Sequence, residues 1–169
     1  RVWVPQQFDN PSNPAVHKNK NALEILDQVE GDIHGYCSGF GTGGTLSGIG
    51  AILKDRFPHI QIWAAEPENA AVLSGGRVGS HVQMGIGDGL IPGNLDTYLV
   101  DNISIVTDEE AIATAQRLMR EEGLLCGISS GSNVAVALRL AEKLGEGKTV
   151  VTIRPDTGER YFSTTLFDF

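Results

Sequence analysis

Gly39-Phe40-Gly41-Thr42-Gly43-Gly44-Thr45 follows an apolar, strand-like run, Ile33 to Phe40, and opens a helix-like run, Leu46 to Arg56. A strand that turns into a helix through several glycines leaves backbone N–H groups aimed at one point. They lie beside the positive end of the helix dipole, and such a corner suits a phosphate. Glycine serves there because a side chain would block the anion and because tight turns often demand positive φ. Thr42 and Thr45 add hydroxyl groups to the same corner.

Outward from the loop, the helix closes at Pro58, and Ile60-Gln61-Ile62-Trp63-Ala64-Ala65 reads as the next strand, ending at Glu66-Pro67. This strand-turn-helix-strand unit has the length a parallel crossover needs. Upstream, Val2 to Val4 is expected to be a short strand, and Asn10-Pro11 and Asn13-Pro14 an irregular turn region. Ala15 to Val29 is expected to be a helix, with Val16, Leu23, Ile25, Leu26 and Val29 as its apolar face. Downstream, ten glycines, prolines and serines between residues 74 and 93 break any periodic pattern. A structureless stretch of that length inside a compact domain points to function.

Ile103 to Val106 reads as a strand. Thr107 with Glu110 forms a capping box for a helix that Gly123 stops. Leu124 to Ile128 is short and apolar, and Ser129-Ser130-Gly131-Ser132 leads into a helix over Val134 to Leu144. Lys148 to Ile153 reads as a last buried strand. The alternation predicts an α/β class: an open, mainly parallel twisted sheet with helices on both faces, in one domain over residues 1–169.

The formal net charge of −8, with no Lys/Arg cluster, argues against nucleic acid and for small ligands. No apolar run approaches membrane-spanning length. Cys37 and Cys126 are too few for a disulfide framework, and the four histidines show no metal-ligand spacing, so no metal is expected. The opening Arg1-Val2-Trp3-Val4-Pro5, with no initiator Met, reads as the start of one piece of a longer polypeptide.

The glycine loop by itself admits two ligands. Gly39-Phe40-Gly41-Thr42-Gly43-Gly44 satisfies G-x-G-x-x-G, and Glu66 ends the next strand where a dinucleotide-binding protein places its ribose acceptor. The other reading draws on the whole chain. It rests first on Gln7-Phe8 with Asn10-Pro11 and Asn13-Pro14, on Gly41 to Thr45, and on Val72-Leu73-Ser74-Gly75-Gly76. Gly85-Ile86-Gly87 through Ile91-Pro92 and Glu122-Gly123-Leu124-Leu125 follow. Gly127-Ile128-Ser129-Ser130-Gly131 and Gly158-Glu159-Arg160-Tyr161 with Ser163-Thr164 complete the series. In this order the motifs resemble the C-terminal part of a cysteine synthase (O-acetylserine sulfhydrylase), a pyridoxal 5′-phosphate enzyme of the tryptophan-synthase-β-like, fold type II class. Seven ordered motifs outweigh one loop, and the nicotinamide-dependent oxidoreductase falls to second place.

The resemblance implies that Gly41, Thr42, Gly43, Gly44 and Thr45 cradle the cofactor phosphate. It gives the Ser129 hydroxyl to the pyridine nitrogen, Gly85, Ile86 and Gly87 to the substrate side, and Asp156 a supporting role. It implies a cytoplasmic, homodimeric enzyme that makes L-cysteine and acetate from O-acetyl-L-serine and sulfide, with serine acetyltransferase as a partner. The lysine that links to the cofactor belongs to a smaller N-terminal domain that these 169 residues lack. No catalytic residue is therefore assigned in this chain, and by itself it is expected to lack synthase activity. One departure, Asn19-Lys20-Asn21-Ala22-Leu23-Glu24-Ile25 where many members carry Thr-Thr-Gly-Pro-Glu-Ile, bears on subfamily. Cystathionine β-synthase, which uses homocysteine, shares the phosphate loop and a Gly-Leu-Leu-Cys-Gly stretch like Gly123 to Gly127.

Overall fold

Strand pairing organises the computed structural model, which describes residues 2–168. In chain order it contains α1 (Ser12–Val16), a π turn (His17–Asn21), α2 (Ala22–Gln28), β1 (Gly35–Gly39) and α3 (Gly44–Arg56). Then come β2 (Gln61–Pro67), β3 (Asn102–Val106), α4 (Asp108–Glu121), α5 (Ile128–Leu144) and β4 (Val150–Thr152). The sheet order is β3-β2-β1-β4, and every pair is parallel. β1, the strand that feeds the glycine loop, therefore has a neighbour on each side: Cys37 pairs with Trp63 and with Thr152.

Side chains on a strand alternate between faces, and here both faces are buried. Tyr36, Ile62 and Ala64 pack with Ala22 and with Leu46, Ile49 and Leu53 of α3. Cys37, Trp63 and Ala65 pack on the other side with Ala111, Ala115, Ala135, Val136 and Leu140 of α4 and α5. Each large side chain buried in this way contributes about 1.5–3 kcal/mol. The two helices of the second face touch at their backbones: a Cβ on Gly131 would lie 2.0 Å from the Ala111 carbonyl oxygen. The α/β class, the parallel sheet and helices on both faces are as the alternation of elements implied.

Several element boundaries differ from expectation. Val2 to Val4 form no strand and are 92%, 82% and 58% exposed, since no neighbouring strand offers them a ladder. The first helix begins at Ser12 rather than Ala15, because a proline in the first turn, here Pro14, loses no intrahelical hydrogen bond. The π turn then shifts the helix phase, so Ala22 is fully buried while Val16 and Leu23 are 43% and 53% exposed. Leu124 to Ile128, read as short and apolar, contributes one isolated bridge, Cys126 with Thr157. Six residues of low helix propensity, from Ile128 to Asn133, are already helical in α5, held by burial rather than by propensity.

Candidate functional site

A cavity of ≈ 390 Å³ opens at the C-terminal end of β1, where open parallel sheets bind their ligands. Gly41, Thr42, Gly43 and Thr45 line one wall, Gly85 and Ile86 a second, and Ser129 and Asp156 a third. The N-termini of α3 and α5 both meet this cavity, because Thr45 and Ser129 lie in their first turns. Two of the residues singled out from the sequence stand behind the wall. Gly44 faces Asn13, and Gly87 faces Pro67 and His81.

The loop requires glycine for reasons visible in the packing. Gly43 has φ +80°, and a Cβ there would lie within 2.8 Å of the Leu95 backbone nitrogen. A Cβ on Gly41 would lie 2.5 Å from the Gly85 carbonyl oxygen, so the two glycine segments pack backbone to backbone. The Gly87 N–H donates to the Phe40 oxygen at 3.1 Å and closes that contact. His81 Nδ1 accepts from the Gln83 N–H at 3.2 Å, which leaves Nε2–H to donate to the Gly87 oxygen at 3.0 Å.

Two polar side chains upstream shape the threonines. Asn13 Nδ2 donates to Thr42 Oγ1 at 2.8 Å and to the Gln7 oxygen at 2.8 Å, so the Thr42 hydroxyl keeps its own hydrogen for the cavity. His17 Nδ1 pairs with Asn21 Oδ1 at 2.9 Å, and its Nε2 lies 3.3 Å from Thr45 Oγ1. In the neutral imidazole with the proton on Nδ1, Nε2 takes the Thr45 hydroxyl hydrogen. Thr45 then offers an anion its backbone N–H rather than its hydroxyl proton.

Ser129 is 2% exposed, and its hydroxyl makes no hydrogen bond among the described residues. Its neighbours are engaged: Ser130 Oγ donates to Asp156 Oδ1 at 3.2 Å and Ser132 Oγ to Gln83 Oε1 at 2.7 Å. A hydroxyl without a protein partner on the lining of a cavity is free to donate to whatever enters it. Asp156 sits against Gly127, where a Cβ would lie 2.3 Å from either carboxylate oxygen, and it accepts from the Tyr161 phenol. Burial first, and then that bond to Asp156, raises the Tyr161 phenol pKa.

Sequence reasoning passed over Asn133. It is 2% exposed and lines the cavity; its Oδ1 accepts from the Gly39 N–H at 2.7 Å and its Nδ2 donates to the Ile153 oxygen at 2.7 Å. One side chain thus ties the end of β1 to the segment that carries Asp156. The signal was an Asn one helical turn after Ser129 in an apolar helix. Asn13 and His17, likewise unassigned, hold the loop from behind.

Glu66, the acceptor required by the dinucleotide reading, is unavailable to a ribose. It is 1% exposed, and it accepts from the Leu73 and Ser74 N–H groups at 2.7 and 3.2 Å and from the Ser74 hydroxyl at 2.8 Å. Among the described residues no lysine lines the cavity, no group of three His, Cys, Asp or Glu is placed to hold a metal, and no helix is long and apolar enough to cross a membrane.

Comparison with known proteins agrees with this geometry. A family described as pyridoxal-phosphate dependent enzyme matches residues 1–156. The cysteine synthase of Staphylococcus aureus (strain N315) is 50% identical over 168 residues, covering 99% of this chain and 54% of that protein. A crystal structure of cysteine synthase from Entamoeba histolytica superposes with a TM-score of 0.94 at 40% identity, over 99% of this chain and 49% of that one. An O-acetylserine-dependent cystathionine β-synthase from Helicobacter pylori gives 0.93 at 37% identity, over 98% of this chain and 54% of that one. The chain spans about half the length of the relatives it matches.

Proposed function

The chain belongs to the pyridoxal-phosphate dependent enzymes, and from that premise we propose that it is the cofactor-holding part of a cysteine synthase. The whole protein would convert O-acetyl-L-serine and sulfide to L-cysteine and acetate. The observation that carries this reading is the pairing, in one cavity, of a glycine-lined helix start with the unpartnered Ser129 hydroxyl. A phosphorylated ring with a basic nitrogen asks for an anion cup at one end and a hydrogen-bond donor at the other.

Bound here, the cofactor would supply an electron sink for exchange of the substrate's β-substituent. Gly41, Thr42, Gly43, Gly44 and Thr45 would hold its phosphate, all but Thr42 through the backbone alone. Thr42 would donate its hydroxyl hydrogen, as the Asn13 contact leaves it free to do. Ser129 would donate to the ring nitrogen without protonating it, since a neutral hydroxyl, unlike a carboxylate, does not stabilise a pyridinium charge. Gly85 and Ile86 would form the substrate-side wall, with buried Ile86 keeping water from it and Gly87 bracing it from behind through its bond to the Phe40 oxygen. Asp156 would tie the start of α5, through Ser130, to the Tyr161 phenol.

We assign no catalytic residue to residues 1–169, a single phosphate-holding domain, and place the cofactor-linked lysine in a smaller N-terminal domain. A cytoplasmic homodimer that docks serine acetyltransferase is part of the same reading; the free, buried Cys37 and Cys126 suit a reducing compartment.

The test is an absorbance titration of the chain with pyridoxal 5′-phosphate, with NAD in parallel. Saturable binding that Gly43→Asp abolishes, with no cysteine formed from O-acetylserine and sulfide, is the expected result. Tight NAD binding without a pyridoxal phosphate response would overturn the reading.

A further inference from the structure

A second cavity, of ≈ 430 Å³, opens at the opposite end of the sheet, below the N-terminal ends of β1, β2 and β4. Three separate segments meet in it: Asp32 and His34 before β1, Arg56 to His59 from the last residue of α3 onward, and Lys148 before β4. In a chain with a net charge of −8, two of its four histidines and two of its 13 Lys and Arg residues line this one opening.

Arg56 and Lys148 stand outside the ion pairs of the described residues, which join Lys54 to Asp101, Arg117 to Glu121 and Arg139 to Glu110. Arg56 is held in place by stacking, its guanidinium carbon 5.5 Å from the centre of the Phe57 ring. His34 Nδ1 accepts from the Thr149 N–H at 3.3 Å, so a neutral His34 carries its proton on Nε2 as a donor. Against these stand the single carboxylate of Asp32 and about half a negative charge at the end of α3. Two permanent cations and two imidazoles outweigh them. Phe57 and Pro58 give the opening an apolar side.

We propose that this cavity is a second binding site, distinct from the glycine-loop cavity, for a small organic phosphate. Arg56 and Lys148 take its charge, His34 and His59 donate hydrogen bonds, and Phe57 and Pro58 support its organic body. The proposal does not depend on the reaction assigned to the other cavity.

The test follows the imidazole resonances of His34 and His59 by NMR while adenosine monophosphate, or adenosine lacking the phosphate, is added. Gly43→Asp serves as background so that the glycine loop takes no anion. Saturable shifts of both histidines with the monophosphate and none with adenosine are expected. Arg56→Ala with Lys148→Ala should weaken binding about tenfold or more, as loss of charge-assisted hydrogen bonds does. Both side chains are exposed, so the fold should survive, and Lys148→Glu is the independent check. Equal shifts with adenosine, no shifts at all, or shifts unchanged in these variants would overturn the proposal.

Discussion

Replacing Asn133 with alanine would remove a side chain that satisfies two backbone groups from distant parts of the chain. The Gly39 N–H is buried, so losing its acceptor costs about 1–3 kcal/mol. The Ile153 carbonyl is only partly buried, and water could replace that bond at a cost of about 0.5–1.5 kcal/mol. Alanine recovers roughly 0.5 kcal/mol through its better helix propensity. The net expectation is a destabilisation of about 1–4 kcal/mol, which in a chain of this size lowers Tm by about 2–16 °C. Urea unfolding followed by the fluorescence of buried Trp63 measures it. Asn133→Asp keeps the acceptor for Gly39, but it loses the donor and buries a charge, so it should be no better than alanine. Because Gly39 leads into the glycine loop, both variants should also weaken pyridoxal phosphate binding. An Asn133→Ala chain within about 0.5 kcal/mol of wild type, with unchanged cofactor affinity, would refute the reasoning.

Gly43→Ala forces a side chain into the left-handed region and against Leu95; a stability loss of about 1–2 kcal/mol or more and weaker cofactor binding are expected, read by thermal unfolding and absorbance titration. Ser129→Ala should leave stability within about 1 kcal/mol, because the hydroxyl has no protein partner, yet weaken cofactor binding about fivefold. Burial pushes the Cys37 thiol up from 9.0 to about 12. The native chain therefore keeps that proton while the unfolded chain loses it, and stability should fall by up to ~1.4 kcal/mol per pH unit as pH rises from about 9 toward 12. Urea midpoints across that range should decline less steeply in Cys37→Ala, and Tyr36, also raised by burial, should add to the slope in both.

Short-range rules account for most of what could be read from residues alone. The glycine loop between a strand and a helix is local chemistry, and so is the Thr107 cap, whose hydroxyl accepts from the Glu110 N–H at 3.1 Å. The resemblance in seven ordered motifs singled out Ser129, which has no local signature, and narrowed the glycine-rich stretch of residues 74–93 to Gly85, Ile86 and Gly87; Ser129, Gly85 and Ile86 line the cavity. Errors fell where a local rule met a tertiary one. Val2 to Val4 have strand-forming residues and no partner strand, and the π turn moved the apolar face of the first helix by a residue.

The amino-acid sequence by itself determined an α/β chain with a parallel sheet and a glycine-lined corner between strand and helix at residues 41–45, because periodicity and glycine positions act within a few residues. Only the tertiary structure decided which polar side chains serve that corner. Asn13 reaches Thr42 across 29 residues and Asn133 reaches Gly39 across 94. It also decided that Glu66 is spent on Leu73 and Ser74. A hydrogen bond satisfies a buried group wherever its partner lies in the chain, so burial, and not spacing, selected these residues.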